Sequence, residues 1–168
     1  ESPLVRRTLA GHTGIVWSVA CAGVAGGWII ASAGGVDKTA RLWDGESGAA
    51  RQTFEGHTSK GWLFCDAAER GREGHTDAVC AVDCVVVAGE LRVVTGSHDK
   101  TARVWGERGA LLTLEHAAIV RSVAAVVAGD AWRVVRGDLY GAVRVWDGAS
   151  GARLAALGGH QGVVRAPA

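Results

Sequence analysis

A histidine, a hydroxyl and an aspartate are the ingredients of a nucleophilic triad, and this chain of 168 residues holds such a set twice. The sets are His12, Ser32 and Asp37, then His75, Thr95 and Asp99, with Ser97 competing with Thr95 for the hydroxyl place. A tryptophan follows each aspartate by six residues, Trp43 and Trp105. Catalysis needs the nucleophile raised on a sharp turn of the G-x-S-x-G kind, whereas Ser32 sits in an apolar strand context. A catalytic site also occurs once per domain, and this set recurs at constant spacing. The residues are therefore expected to be structural, and the chain not to be an enzyme.

Other chemistry is thin. No H-E-x-x-H, no G-x-x-x-x-G-K-[ST] and no strand-borne G-x-G-x-x-G occurs. Five of the six histidines follow a glycine or open a repeat and the sixth is His98, so none remains to cluster as metal ligands. Neither a metal nor a cofactor is expected.

The same residue types suit a hydrogen-bond relay. Aspartate only accepts, an indole only donates, and histidine and a hydroxyl do both. Asp37, His12, Ser32 and Trp43 could thus form one closed chain, and Asp99, His75, Thr95 and Trp105 a second.

The elements that must position these groups are legible as repeats. DKTARLW (Asp37 to Trp43) recurs as DKTARVW (Asp99 to Trp105), and a Gly-His-Thr precedes each, with His12 31 residues before Trp43 and His75 30 before Trp105. A worn third copy runs from His116 to Trp146 at the same spacing of 30. Between each His and Trp lie three short β-rich runs; in the first unit they are Ile15 to Cys21, Trp28 to Ala31 and Ala40 to Trp43. A fourth run follows each Trp: Arg51 to Phe54, Leu111 to Leu114 and Arg153 to Leu157. Val-Ala-Gly occurs three times between the first run and the second, where glycine supplies the positive φ of a tight hairpin. Four short antiparallel strands per unit are predicted, in sheets that must stack on one another to cover two apolar faces.

Gly-His, about 30 residues, then Asp and Trp six residues later, often with Asp after it, resembles the WD-repeat family of β-propellers. The resemblance implies an all-β propeller segment of four-stranded blades, with repeats at about 11–55, 74–114 and 115–158, a partial strand at 4–10 and a partial repeat at 159–168. It implies the relay described above, and also that partners dock at the start of each innermost strand and at the turn before the structural Asp. Carried over, those positions are Ile15, Trp17, Ala78, Cys80, Ile119 and Arg121, with Val36, His98 and Leu139 at the turns. Trp17 and Arg121 are residue types that dominate interfaces; Trp17 could instead fill the gap between blades. The third unit departs from the pattern: Tyr140 stands where the Asp belongs, Arg136 replaces the hydroxyl, Glu115 replaces the Gly before His116, and Asp138 lies two residues off. His116 and Trp146 then lack their acceptor, and this blade is predicted to be the least stable. The insertion at 59–73 carries Trp62 and Phe64, either tucked on a neighbouring sheet or exposed as an anchor.

Three blades do not close a ring, since propellers use typically four to eight. A segment of a larger propeller, about seven blades in this family, is expected, with self-association of arcs as the rival; the absence of methionine fits a piece of something longer. The resemblance implies a non-catalytic scaffold binding other proteins or peptides, or alternatively a regulatory or substrate-recruiting propeller in a larger enzyme, such as a ubiquitin ligase receptor or a repeat-bearing ATPase. A net charge of +1 from 18 basic and 17 acidic residues gives no concentrated basic surface for nucleic acid or anionic membrane. With no apolar run of membrane-spanning length and no charged-then-apolar leader, a cytoplasmic or nuclear location is expected, not secretion. Of Cys21, Cys65, Cys80 and Cys84, three fall in apolar strand candidates and are expected as buried thiols.

Overall fold

The protein is described by a computed structural model covering residues 7–55, 74–138 and 140–158. These residues form twelve strands and no helix. Blade 1 consists of β1 (Val16–Val24), β2 (Gly27–Gly34), β3 (Ala40–Asp44) and β4 (Ala50–Phe54). Blade 2 is β5 (Val79–Val87), β6 (Glu90–Ser97), β7 (Thr101–Gly106) and β8 (Gly109–Glu115); blade 3 is β9 (Val120–Ala128), β10 (Ala131–Asp138), β11 (Val143–Asp147) and β12 (Arg153–Leu157). Each blade is a separate antiparallel sheet in sequential order. The predicted runs are all strands, the inner ones longer than expected. The segments 4–6, 56–73 and 159–168, with Trp62, Phe64 and Cys65, lie outside the described residues.

The hairpins between first and second strands form as their sequence requires. Gly26, Gly89 and Gly129 have φ of +85°, +81° and +64°, a conformation that glycine adopts without strain. Lys38, Lys100 and Gly141 take positive φ at equivalent places between second and third strands.

Successive blades stack innermost strand beside innermost strand. One core lies between blades 1 and 2, where Ala31, Leu42 and Phe54 meet Val79, Val82 and Trp105. The other lies between blades 2 and 3, where Val94, Val104 and Leu114 meet Val120, Val134 and Trp146. The period-2 alternation explains the division: along β7, Trp105 faces blade 1 while Ala102 and Val104 face blade 3. Polar groups also tie the blades. Ser18 Oγ accepts the Val82 amide at 3.2 Å, and Asp83 Oδ2 accepts the Ala125 amide at 2.7 Å.

Two sets of β-bulges repeat through the blades. At the start of the inner strand one residue drops out of the pairing: Trp17 in β1, Cys80 in β5 and Arg121 in β9. At the other end, on the outer strand, Arg51, Leu111 and Leu154 are the extra residues. A bulge twists the strand and re-aims a side chain, so both ends of every blade carry one redirected residue.

Candidate functional site

In blade 2, β6 carries Thr95, the β6–β7 turn carries Asp99, β7 carries Trp105, and the segment entering β5 carries His75. They meet in a line. Trp105 Nε1 donates to Thr95 Oγ1 at 2.7 Å, Thr95 Oγ1 lies 2.6 Å from His75 Nε2, and His75 Nδ1 lies 2.9 Å from Asp99 Oδ2. Because the indole only donates and the carboxylate only accepts, proton direction is fixed along the whole line: Thr95 donates to Nε2 and His75 donates from Nδ1. Asp99 also accepts the Thr76 and Thr101 amides at 3.0 and 2.8 Å, which pins the turn. Ser97, the rival hydroxyl, does other work, donating to the Asp77 carbonyl at 3.1 Å and accepting the Asp99 amide.

Blade 1 repeats the line. Trp43 Nε1 donates to Ser32 Oγ at 2.8 Å, Ser32 Oγ and His12 Nε2 are 2.7 Å apart, and His12 Nδ1 lies 2.7 Å from Asp37 Oδ2. Asp37 holds the Thr13 and Thr39 amides at 3.1 and 3.2 Å.

Burial sets the charge states. Desolvation pushes the His75 imidazole below its ordinary 6.5, partly offset by the Asp99 hydrogen bond and charge, so it is neutral at pH 7. Burial alone would raise Asp99, but hydrogen bonds from His75 and Thr101 outweigh it and hold the carboxyl well below the usual carboxylate range. Desolvation and the His12, Thr39 and Thr13 hydrogen bonds oppose each other in the same way at Asp37, with the same net direction.

The Asp–His–hydroxyl distances are those of a catalytic triad, yet the hydroxyls cannot act as nucleophiles. Thr95 is 0% exposed and Ser32 5%, and each hydroxyl already accepts the indole N–H. A nucleophile must be within reach of its substrate; Thr95 is closed off between blades 1 and 2, and Ser32 is buried beneath His12 and Trp43.

A family model, "WD domain, G-beta repeat", matches residues 4–44 and 69–106, segments that hold both intact lines. Over those two segments the chain matches the WD-repeat pattern. Autophagy-related protein 16 of Arabidopsis thaliana is 28% identical over 155 residues, which is 78% of this chain and 30% of that protein. The solved structure of U3-55K superposes with a TM-score of 0.71 at 20% identity, over 94% of this chain and 43% of that one. The chain thus spans less than half the length of either relative, and the structural likeness speaks for the fold alone.

The third blade, which the family model does not match, shows what loss of the pattern does. Arg136 occupies the register place of Thr95, opposite Arg144 as Thr95 is opposite Arg103. Its guanidinium lies 4.7 Å over the Trp146 ring, is 1% exposed, and has no hydrogen-bond partner among the described residues at any nitrogen. Burial and the Arg144 charge push Arg136 down to about 9, against the pull of Asp138, so it remains charged at neutral pH. His116 stacks edge-on against Trp146 at 4.8 Å, its Nε2 without a hydrogen-bond partner among the described residues. Asp138 takes over half of the missing aspartate's work. Its Oδ1 accepts the Tyr140 and Ala142 amides at 2.9 and 3.0 Å, so the turn is held, while Oδ2 faces Arg144 at 3.3 Å.

At the same end of the blades, the expected docking positions divide. Trp17 is 41% exposed, its ring 5.3 Å from the His98 ring of blade 2, so it both bridges blades and faces solvent. Ile15 and Val36 are 66% and 69% exposed, and Arg121 is exposed on blade 3. Ala78, His98 and Ile119 are half-buried, and Leu139 lies outside the described residues. Cys80 is buried as a strand thiol is expected to be, which corrects its place among the docking positions: its thiol donates to the Val120 carbonyl at 2.9 Å and joins blades 2 and 3, and burial pushes the thiol up to about 11. Cys21 is the opposite correction, exposed on β1 where no described sheet covers it. The bulges that aim Trp17 and Arg121 had no expectation attached to them; no residue type marks them, because only pairing register does.

Proposed function

We propose that this chain is a protein-binding scaffold whose partner docks across the relay end of the three blades, on Ile15, Trp17, Val36 and Arg121, with Ala78, His98 and Ile119 at its margin. The observation that carries the reading is the exposure of Trp17 and Arg121 at equivalent bulges of blades 1 and 3, whereas Cys80 at the blade 2 bulge is turned onto the Val120 carbonyl. An aromatic ring braced by His98 offers large contact area at little cost in side-chain entropy. The deeply sealed relays beneath keep that surface rigid, which lowers the ordering cost of association. Affinity capture with the intact chain and with Trp17→Ala/Arg121→Ala, each first checked for an unchanged circular dichroism spectrum, tests it. A defined set of proteins should be lost with the double variant; an identical set with both would overturn the reading.

The two outermost sheet faces belong to the same proposal. On blade 1, Val16 and Val19 are 44% and 67% exposed, and on blade 3 Leu157 is 56% exposed. The register counterparts of these residues are buried between blades. We infer that further blades, of a longer chain or of a second copy, cover these faces.

A further inference from the structure

At the end of the blades opposite the relays, a cleft of about 680 Å³ opens between blades 2 and 3. Its apolar side is Leu111 and Trp132, and its charged side is Glu90, Arg92, Asp130 and Asp147. We propose that this cleft docks a basic peptide segment of another protein, with a guanidinium or ammonium between Glu90 and Asp130 and an adjacent apolar side chain on Leu111.

Three observations meet here. First, the two Val-Ala-Gly hairpins that bound the cleft each end in an acid, Glu90 after Gly89 and Asp130 after Gly129, whereas the blade 1 hairpin continues with Gly27. The acids therefore stand on facing walls contributed by different blades. Asp130 makes no ion pair among the described residues. Glu90 is paired only with Arg92, and its side chain is 65% exposed, a pair that an incoming cation displaces at little cost. Asp147 is held by Arg133 and by Ser150, so its charge is already balanced and the cation's partners are Glu90 and Asp130.

Second, Leu111 is the bulged residue of β8 and is 52% exposed. In blade 1 the bulged residue is Arg51, which forms two hydrogen bonds to Asp44 Oδ2 and so closes its own blade. Blade 2 has Gly106 where blade 1 has Asp44, and Leu111 lies against that glycine. The internal ion pair has been exchanged for an apolar projection into the cleft, a change that leaves blade 2 with surface to cover. Third, Trp132 is 6% exposed and seats on Gly148, giving the cleft a fixed wall. Acidic walls about an apolar seat complement a side chain of the lysine or arginine kind, whose stem is apolar and whose head is charged. This surface is separate from the relay-end surface, so either proposal can fail alone.

The test is chemical-shift mapping on the ¹⁵N-labelled chain with the peptide acetyl-Leu-Arg-Leu-Lys-amide and its counterpart acetyl-Leu-Glu-Leu-Glu-amide. The basic peptide should give saturable shifts at Glu90, Leu111, Asp130 and Gly148 and leave Trp17 unmoved, and the acidic one should give none. Glu90→Gln/Asp130→Asn should weaken binding at least tenfold, while Trp17→Ala leaves it unchanged. Absence of saturable shifts up to millimolar peptide, equal shifts with both peptides, or undiminished binding to the Glu90→Gln/Asp130→Asn variant would each overturn the assignment.

Discussion

Thr95 shows how much one oxygen can hold. It accepts from Trp105 and donates to His75, so Thr95→Val, which keeps the shape, leaves two buried donors or acceptors without partners at about 1–3 kcal/mol each. The unfolding midpoint in urea should fall accordingly, with an unchanged slope. Protonation of His75 gives a second check. Its native pKa lies below 6.5, so the unfolded state binds the proton first, and stability is retained above pH 6.5 and lost as pH falls below it; the low Asp99 value adds further loss below pH 3.8. Melting temperature should therefore decline between pH 7 and pH 5, and His75→Gln should flatten that decline. Arg136 is the converse case. A buried guanidinium without hydrogen bonds is costly, and Arg136→Thr with Tyr140→Asp rebuilds the set found in blade 2. That double variant should melt higher than the natural chain by calorimetry, and a lower melting point would show that the Arg136–Trp146 stack is the better arrangement.

Among the elements, the third-strand ends show a packing device shared by two blades. Trp28 at the start of β2 seats on Gly45, and Trp132 at the start of β10 seats on Gly148; a Cβ at either glycine would stand 2.1 or 2.2 Å from the indole. Trp28 is 39% exposed and can tilt into solvent at the loss of one exposed hydrogen bond from its Nε1 to Glu46, whereas Trp132 is 6% exposed and held. Overpacking that cannot relax costs about 1–3 kcal/mol, so Gly148→Ala should lower stability by about that much and Gly45→Ala by far less, measured side by side in urea. The strands themselves were legible in the sequence because apolar runs of the right length lie between glycine turns, and the relay was legible because its members are chemically distinctive and recur in register. Asp138 was visible only as a neighbour of the expected place, since its turn-holding role depends on which amides it meets. The bulges at Cys80 and Leu111 had no signature, as one extra residue changes the facing of a side chain without changing composition. The resemblance alone places Cys80 among the docking positions, while in the fold it is turned inward onto the Val120 carbonyl.

For the whole molecule, the alternating faces make each blade incomplete alone. Val19 is 67% exposed while its counterparts Val82 and Val123 are 5% and 8%; Leu157 is 56% exposed while Phe54 and Leu114 are each 5%. Burying such side chains is worth about 1.5–3 kcal/mol apiece, and exposed faces of this kind drive association. Sedimentation of the chain should show concentration-dependent association that Val19→Glu with Leu157→Glu reduces; a compact monomer at every concentration would contradict the inferred covering by further blades. The Arg136 nitrogens and His116 Nε2, without hydrogen-bond partners among the described residues, have one more consequence. Stability within a protein is uneven, and segments open locally at different free energies. With its relay broken, blade 3 should release its amide protons to deuterium ahead of blades 1 and 2, so the stack has a preferred direction of peeling. A peptide lodged between blades 2 and 3 would then act as a clasp across the joint that opens first, slowing exchange well beyond the residues it touches.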